Sequence, residues 1–551
     1  MVNRSLSQDP AGTEEVLLVD YRDNPVDRSH TGAWLAALLI LGTAFGERVC
    51  IMCMTLDLQS DLENILHVSF IGSEQGIITY FGILNLLALI GGFFGDAKLG
   101  RFLAIAISLG MMIAGMELAL EILVPGLHPP PCVDENCVPA NGWEVAIMCL
   151  ALCLTALGVG GLRGNIPGFL SDQFDRRVPR EAWAMKLLFS RFYSCTCLGG
   201  LFALTVLEYV QLGVGYGWGY CISMGIMILA AIVLVGGRHK YRYRKPAERS
   251  PLSVIWNVLW MAFRRRSLPL PMDNSALNGF LIARVPHTNS LRCLDKAAIV
   301  LPGPGQPLVV SATVTEVEEL KLLINLLPIW VTSVLYWTIY NRMTFFSIMQ
   351  AADMDRHLGK GFVIPSLSIP SFLFISVIIF TSINEPLLVP MATRLTRSPQ
   401  GPTSLQRIGA GLLIATISMT VAALVEKRRI DAGGVVSAFW LVPQYFIMGA
   451  GDAFVFVGQL EFFIREGPER MKSVSTGLFL ATLSVGSFLG ALLVLVTNSL
   501  THGAWIGEGY ERIDRFYWML AGLGVGNFIL FTVLARRHTY RNPRTPALAV
   551  T

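Results

Sequence analysis

The stretch AWLAALLILGTAFGERVCIMCMT (residues 33–55) is apolar or small, with two charges, Glu47 and Arg48, beyond its midpoint. About 20 apolar residues in a helix are long enough to cross the hydrocarbon core of a bilayer, so the stretch predicts a membrane span. A charge inside a span is costly unless it is paired or hydrated, and it therefore indicates a functional position by default. Glu47 and Arg48 accordingly need partners, which other spans must supply.

Apolar runs recur along the whole chain of 551 residues, of which 53% are hydrophobic and 15% charged. The mean hydropathy of +0.55 is higher than a soluble enzyme of this size would show. We therefore predict an all-α polytopic membrane protein with about twelve transmembrane helices. The runs centre on Leu38, Leu86, Ile107, Leu154, Leu201, Ile226, Leu335, Ile378, Ile414, Met448, Leu483 and Leu523.

The longest polar interruption separates the sixth apolar run from the seventh and predicts two six-helix bundles joined by a linker. Two such halves match the architecture of major facilitator transporters, in which the substrate site lies near the membrane midplane between the halves. Composition alone does not choose this fold over another polytopic fold, so the motifs must decide. The predicted parts are an N-terminal segment at 1–32, a first bundle at 33–237, a linker at 238–319, a second bundle at 320–536 and a tail at 537–551.

Within the linker, SPLSVIWNVLWMAFRRR (residues 250–266) has a Ser-Pro helix start, two tryptophans on an apolar body and three terminal arginines. Its apolar part is too short to span a bilayer. Two placements stay open: an interfacial helix on an anionic leaflet, or a helix packed between the bundles.

Basic residues predict the orientation. The loops expected outside at 56–70, 122–142 and 207–217 contain no Lys or Arg, whereas the inner loops of the first half do. The first 30 residues have no apolar core of a signal peptide, so we expect cytosolic N- and C-termini. Lys427, Arg428 and Arg429 fall on the predicted outer side and depart from the pattern. We expect the plasma membrane, with an internal membrane as the alternative.

Other function classes find little support. The net charge of +4 is small and spread over loops, which indicates no nucleic-acid partner. The sequence has no nucleotide-binding loop, metal-ligand pattern or nucleophile-base arrangement, so we expect neither an enzyme nor a cofactor. Most of the ten cysteines lie in apolar helices as small hydrophobic residues. Cys132 and Cys137 instead lie in a Pro-rich outer loop, where we expect a disulfide.

Several motifs occur in a characteristic order. The inner loop GGFFGDAKLGR (residues 91–101) has the Asp-x-x-Leu-Gly-Arg form of the major facilitator loop motif, in which Asp96 and Arg101 can latch neighbouring helices. Together with GLRGNIPGFLSDQFD (161–175), RCLDKAAIV (292–300), VTEVEELKLLINLLPIW (314–330) and QLEFFIREGPERMKSVSTGL (459–478), it closely resembles the plant nitrate transporter/peptide transporter family. That family is the plant branch of the proton-coupled oligopeptide transporters, and the resemblance covers essentially the whole chain.

The resemblance also implies a function for the charged residues of the first span. Family members carry Glu-x-x-Glu-Arg there, a cluster tied to proton coupling, and this chain has Ala44 in place of the first acid. Positions 44, 47 and 48 share one helix face, which would look into the cavity. The resemblance therefore implies that Glu47 is the proton site. A buried pair that only locks helices is the alternative.

The resemblance also implies substrate-binding positions. Arg163 stands where the family has Lys, Asp452 where it has Glu, and Tyr340 where nitrate-handling relatives have His. Arg48 belongs to the same group, as does Arg342, unless Arg342 only extends its charge towards the membrane surface.

Three arginines facing two acids make the cavity net positive, which favours a small anion or a carboxylate-bearing solute such as nitrate, chloride, a peptide or a hormone. We expect a proton-coupled symporter in the bilayer; the alternatives are a substrate sensor with little flux and an uncoupled anion facilitator. Cys197, at the position of a family Asn, Ala44 and Arg163 depart from the pattern of peptide transport.

Overall fold

Twelve helices in the part of the chain that the computed structural model describes are long and apolar enough to cross a membrane. Every centre predicted from the sequence falls within one of them, which confirms the all-α polytopic fold. The structure describes residues 18–22, 24–27, 31–60, 62, 70–121, 140–175, 178–244, 250–271, 273–283, 285–300, 311–359, 361–384, 387, 389–396, 402–433, 436–506 and 512–540.

The described part of the first half contains seven α-helices. They are α1 (Ala33–Ser60), α2 (Phe70–Phe94), α3 (Arg101–Glu121), α4 (Gly142–Asp172), α5 (Pro179–Phe202), α6 (Glu208–Gly213) and α7 (Tyr216–Gly236). A π-helical turn over Ala203–Leu207 connects α5 directly to α6, so these two helices form one span.

Among the described residues, two α-helices belong to the linker and seven to the second half. They are α8 (Pro251–Arg264) and α9 (Arg292–Asp295), followed by α10 (Val314–Ala352), α11 (Ser371–Ile383), α12 (Val389–Thr396), α13 (Ser404–Ala432), α14 (Val442–Glu466), α15 (Lys472–Leu500) and α16 (Ile513–Arg537). Two short antiparallel pairs complete the structure: β1 (Leu18–Val19) with β2 (Tyr243–Arg244), and β3 (His357–Leu358) with β4 (Phe362–Val363).

Helix α10 begins inside the segment that the sequence analysis assigned to the linker. Its first residue is Val314, and Thr313 and Glu316 form a reciprocal capping box in front of it. The boundary at residue 320 was predicted from the position where the apolar run begins. The helix itself begins earlier, directly after its capping residue. The first two turns are therefore charged and belong to the face of the molecule that carries the linker, which we call the linker face.

The two halves meet mainly where α2 packs on α15 and α5 packs on α11, and smaller contacts join α4 to α15 and α5 to α14. Small residues permit the first of these crossings. A Cβ at Gly477 would lie 2.5 Å from the Cα of Leu89, and one at Gly92 would lie 2.3 Å from the carbonyl oxygen of Ser473. Glycines at these positions bring the backbones together, as in other membrane helix interfaces.

The N-terminal segment and the linker are attached to the first half by one buried arginine. Arg242, 1% exposed, pairs with Glu181 at 2.8 Å and donates to the backbone oxygens of Gln173 and Thr31. The segment containing β1 is thereby held beside the start of α1 through its pairing with β2.

A second buried charge cluster attaches the linker to α10. Lys321, 1% exposed, lies 2.7 Å from Asp295 and 2.8 Å from Glu318, and His287 lies 3.2 Å from Asp295. His287, Asp295 and Glu318 have the atoms and spacing of a metal site. The ammonium group of Lys321, however, already supplies a positive charge to both acids.

Helix α8 lies on the linker face with one side buried and the other exposed. Pro251, Val254, Val258 and Ala262 are buried, whereas Trp256 is 69% exposed. Features of both predicted placements are present: the exposed tryptophans suit an interfacial helix, and the first turn of α8 lines an apolar cavity together with α2, α10 and α15.

Candidate functional site

Glu47 is buried and pairs with Arg163 at 2.8 Å, which connects α1 to α4. The same guanidinium donates to the side-chain oxygen of Asn85 in α2 at 2.9 Å. Three helices of the first half thus converge on one arginine. Another span thus supplies the partner of Glu47, and that span belongs to the same half of the molecule.

Glycines explain why α2 and α4 come close enough for this arrangement. A Cβ at Gly164, beside Arg163, would lie 2.4 Å from the carbonyl oxygen of Ala88 and 2.7 Å from the amide nitrogen of Gly92. Real Cβ atoms do not approach backbone that closely, so no larger residue fits without moving a helix. The glycines that precede and follow Arg163 therefore set its position relative to Asn85.

Arg48 points to the other half of the molecule. Its side chain is half-buried, and the central guanidinium carbon lies 5.6 Å from the ring centre of Phe374 in α11, within the range of a cation–π contact. Among the described residues Arg48 forms no ion pair, and its Nε has no hydrogen-bond partner. Glu47 and Arg48, although adjacent, therefore have different partners in different halves.

Asp452 is fully buried in α14 and accepts hydrogen bonds from two tyrosines. Tyr193 of α5 donates to one carboxylate oxygen, and Tyr336 of α10 donates to the other at 3.2 Å. The ring of Tyr193 also stacks on Phe456, with ring centres 3.9 Å apart and an angle of 6°. The hydrogen bond from Tyr193 joins the two halves, whereas the one from Tyr336 lies within the second half.

A second hydrogen bond between the halves lies one residue further along α5. The hydroxyls of Ser194 and Thr381 are 2.6 Å apart and both are buried. Cys197, where the family has Asn, is also buried, at 1% exposure. The α5–α11 contact thus combines small polar groups with close packing.

Tyr340 and Arg342 lie on different sides of α10, as a separation of two residues in a helix requires. Tyr340 packs against Tyr336 and Trp337, with ring centres 6.2 and 5.3 Å away, and so belongs to the aromatic group beside Asp452. Arg342 is 4% exposed, lies 5.6 Å from the ring centre of Phe345 and packs against Gly490. This burial argues against a side chain that extends to the membrane surface.

Asp96 and Arg101 belong to a latch on the linker face, which comprises Asp96, Arg101, Asp172, Lys472 and Ser473. Arg101 pairs with Asp96 at 2.8 Å, also pairs with Asp172, and donates to the hydroxyl of Ser473 at 2.9 Å. Asp96 accepts hydrogen bonds from the amides of Ser473 and Val474 at the start of α15. A carboxylate at a helix N-terminus satisfies free amides and offsets the helix dipole. The latch therefore holds the two halves together on this face.

Two further predictions concern Ala44 and the proposed disulfide. Ala44 is buried in the apolar core of α1, so no second acid on that helix faces Glu47. Cys132 and Cys137, predicted to form a disulfide, lie outside the described residues.

Sequence reasoning missed the neutral partners of these charges, Asn85, Tyr193 and Tyr336. Asn85 could have been noticed as a lone amide in the apolar run FGILNLLALIGG (residues 81–92). Tyr193 follows Phe192 in α5, four residues before Cys197, and nothing in the local sequence marks it as a partner of Asp452. A neutral polar residue in a span gives a weaker signal than a charge, because its burial costs less.

Comparisons with known proteins agree in the family they indicate. The model of the POT family matches residues 102–512. Protein NRT1/PTR FAMILY 6.4 of Arabidopsis thaliana is 47% identical over 96% of this chain and 92% of its own length. Protein NRT1/PTR FAMILY 6.3 of the same plant is 36% identical over 96% and 95%.

Solved structures share the fold. The POT family transporter PepTSo aligns with a TM-score of 0.65 at 18% identity and covers 92% of this chain and 98% of its own. A POT family transporter in complex with 5-aminolevulinic acid aligns with a TM-score of 0.59 at 12% identity, over 92% and 97%.

Proposed function

Since the chain belongs to the POT family of transporters, we propose that it is a proton-coupled symporter of a small anionic or carboxylate-bearing solute. Its family and its relatives are transporters and not enzymes, and its twelve candidate spans make it a multi-pass membrane protein. Protons would be the coupling ion, without another cofactor.

The arrangement of Glu47, Arg163 and Arg48 carries this proposal. In the structure Glu47 neutralises Arg163, while Arg48 next to it has no carboxylate partner among the described residues. An entering anion would meet the charge of Arg48 first and would then compete with Glu47 for Arg163. A guanidinium suits this role because its donors match the geometry of planar anions.

Proton binding and solute binding would favour each other, because the solute and the Glu47 carboxylate compete for Arg163. Once an anion occupies Arg163, Glu47 loses its ion pair in a water-poor site and is stabilised by accepting a proton. By linkage, a protonated Glu47 frees Arg163 and strengthens anion binding by the same factor. Asn85 would keep Arg163 in position during the exchange, since its hydrogen bond does not involve Glu47.

Asp452 would counterbalance the arginines or bind a cationic group of the solute. Its two tyrosine donors stabilise a carboxylate without an ion pair. One solved POT family transporter was crystallised with 5-aminolevulinic acid, a solute with a carboxylate. We propose that solutes of this kind place their carboxylate towards Arg48 and Arg163.

Alternating access would proceed by rocking of the two halves about this central site. We propose that the linker face is cytosolic, with both termini on that side, and that the protein acts in the plasma membrane. The latch of Asp96 and Arg101 would then open when the site faces the cytosol. The contacts of Tyr193 and Ser194 with the second half would rearrange during the same movement.

The buried Ala44 favours a second candidate function, an uncoupled anion facilitator. Without the first acid of the family cluster, Glu47 is the single carboxylate on its helix face, and its ion pair with Arg163 could serve only to hold α1 and α4 together. A facilitator predicts solute flux that does not depend on the pH gradient. A sensor with the same fold predicts binding with little flux.

An uptake panel tests the proposal and the solute class. Nitrate, chloride, short peptides and carboxylated hormones would be offered to oocytes expressing the protein, with and without an inward proton gradient. We expect gradient-dependent uptake of at least one anionic or carboxylate-bearing solute. Arg163→Ala should abolish it, while Arg428→Gln, an arginine over Trp440 away from the site, should not change it.

Nitrate should be a poor or unselective substrate in this panel. Tyr340 cannot accept a proton near neutral pH as the His of nitrate-handling relatives could, so anion binding depends on the arginines. High nitrate selectivity that persists in Arg163→Ala would contradict this assignment.

A further inference from the structure

Helix α8 exposes a continuous apolar stripe. Leu252, Trp256, Leu259, Trp260 and Phe263 are 43–69% exposed and recur every three or four residues, so they share one helix face. The planes of Trp256 and Trp260 lie nearly parallel, with ring centres 6.3 Å apart. The opposite face is already packed on the protein, so the stripe needs an apolar partner from outside the chain.

The C-terminal end of this stripe carries unpaired positive charge. Arg264 and Arg266 are exposed, and the guanidinium carbon of Arg266 lies 4.7 Å from the ring centre of Phe263. The ammonium group of Lys296, from the linker, donates to the backbone oxygen of Arg266 at 2.5 Å. Arg266 and Lys296 therefore lie side by side although they are 30 positions apart in the sequence.

These two cations border a cavity of about 360 Å³ that is otherwise mainly apolar. Leu259, Phe263 and Leu294 contribute its walls, and Arg266 and Lys296 contribute its charges. No ion pair among the described residues involves either cation. The adjacent acid, Asp295, is buried and already paired with Lys321 and His287.

The N-terminal end of α8 lies beside residues of the membrane spans. Leu252 and Ile255 line a second, wholly apolar cavity of about 530 Å³ together with Leu89 and Phe93 of α2 and Leu478 of α15. Those residues lie in membrane spans, near the latch of Asp96. Because α8 borders these spans, its stripe would continue their apolar surface at the edge of the bilayer, and its basic end would then lie at the level of the lipid headgroups.

We propose that α8 and the linker form a binding site for an anionic phospholipid, with the phosphate between Arg266 and Lys296 and the acyl chains along Leu259 and Phe263. A phospholipid combines a negative headgroup with apolar chains, and the site offers a complement to both. A free phosphate ion would leave the apolar stripe uncovered. The bound lipid would fix the linker against the ends of the spans.

Native mass spectrometry of the full-length protein in neutral detergent tests this proposal. Phosphatidylglycerol and phosphatidylcholine with identical chains would be added, and we expect the protein to retain the anionic lipid preferentially. Arg266→Gln combined with Lys296→Gln should weaken phosphatidylglycerol binding about thirtyfold, since each basic group near the membrane surface contributes about fivefold. Phosphatidylcholine binding should stay at the parent level.

A single substitution and a control pair of arginines distinguish loss of the lipid site from loss of the fold. Arg266→Gln alone removes an exposed side chain that makes no hydrogen bond to a described residue, so the fold should survive and binding should fall about fivefold. Arg536→Gln with Arg537→Gln, two exposed arginines at the end of α16, should leave binding unchanged. Equal retention of both lipids by the parent, or unaltered anionic lipid binding in the Arg266/Lys296 variant, would overturn the proposal. Competition by inorganic phosphate at equal concentration would overturn it too, because it would indicate a site for small anions.

Discussion

Asp452 receives one tyrosine hydroxyl from each half of the molecule, and the two hydrogen bonds should differ in function. A hydrogen bond to a charged group contributes about 1.5–3 kcal/mol, so removal of either one should be measurable. Loss of the bond from Tyr336 weakens a contact inside the second half. Loss of the bond from Tyr193 instead changes the free-energy difference between conformations in which the halves meet or separate at α5.

Tyr193→Phe should therefore shift the conformational equilibrium about tenfold or more, whereas Tyr336→Phe should not. Phe keeps the stacking on Phe456, so the protein should still fold. Spin labels introduced at the exposed positions Leu198 in α5 and Ile379 in α11 would report the distance between the halves. Equal distance distributions in both variants would show that the Tyr193 bond does not hold the halves together.

At this scale the sequence predicted the charged residues but not their partners. Glu47, Arg163 and Asp452 stand out because a charge in an apolar run is rare. Which of them would pair could not be predicted, because pairing depends on how helices far apart in sequence pack. The positions of Tyr340 and Arg342 on opposite sides of α10 could have been predicted, since two residues in a helix are about 200° apart.

Among the helices, α2 and α4 determine the geometry of the site through their glycines. Gly164→Ala would place a methyl group 2.4 Å from the backbone of α2, so the helices must separate. We expect a loss of about 1–3 kcal/mol in stability, as for other overpacked positions, and a larger loss of uptake because Arg163 moves away from Asn85. Thermal unfolding and uptake would be measured on the same preparation.

Gly110→Ala is the matched control, because a Cβ at Gly110 in α3 meets nothing within 4 Å. That variant should be at least as stable as the parent, since Ala has the higher helix propensity. If Gly164→Ala behaved like Gly110→Ala, close packing of α2 and α4 would not be what positions the arginine.

The number and order of the spans could be predicted because each needs only a local apolar run. Their ends could not be predicted in the same way. Helix α10 starts at Val314, directly after the cap residue Thr313 and six residues before the boundary drawn at 320, and its first turns are stabilised by the linker. Helix caps and charge clusters depend on residues outside the apolar run. Counting apolar residues along the sequence therefore does not detect them.

For the whole molecule, the latch on the linker face should control which side of the site is open. Asp96→Asn removes the ion pair with Arg101 and weakens the cap of α15. We expect the amides of Ser473 and Val474 to exchange with deuterium about tenfold faster, because the halves separate there more often. Hydrogen exchange followed by mass spectrometry would measure this rate.

Asp273→Asn is a suitable control, since Asp273 is an exposed acid of the linker that accepts hydrogen bonds from Ser275 and makes no contact with the latch. Its exchange at the start of α15 should match the parent. Unchanged exchange in Asp96→Asn as well would mean that the latch does not limit opening on this face.

We propose that Glu47 carries the coupling proton. This role is tested by measuring accumulation of the solute identified by the uptake panel in proteoliposomes with an inward proton gradient, for the parent and for Glu47→Gln. The variant keeps a hydrogen-bonding group beside Arg163, so we predict that it folds, binds the solute and equilibrates it. It should no longer accumulate the solute above equilibrium or respond to external pH. Accumulation by Glu47→Gln at the parent level, together with its loss in Asp452→Asn, would show that Asp452 and not Glu47 carries the proton.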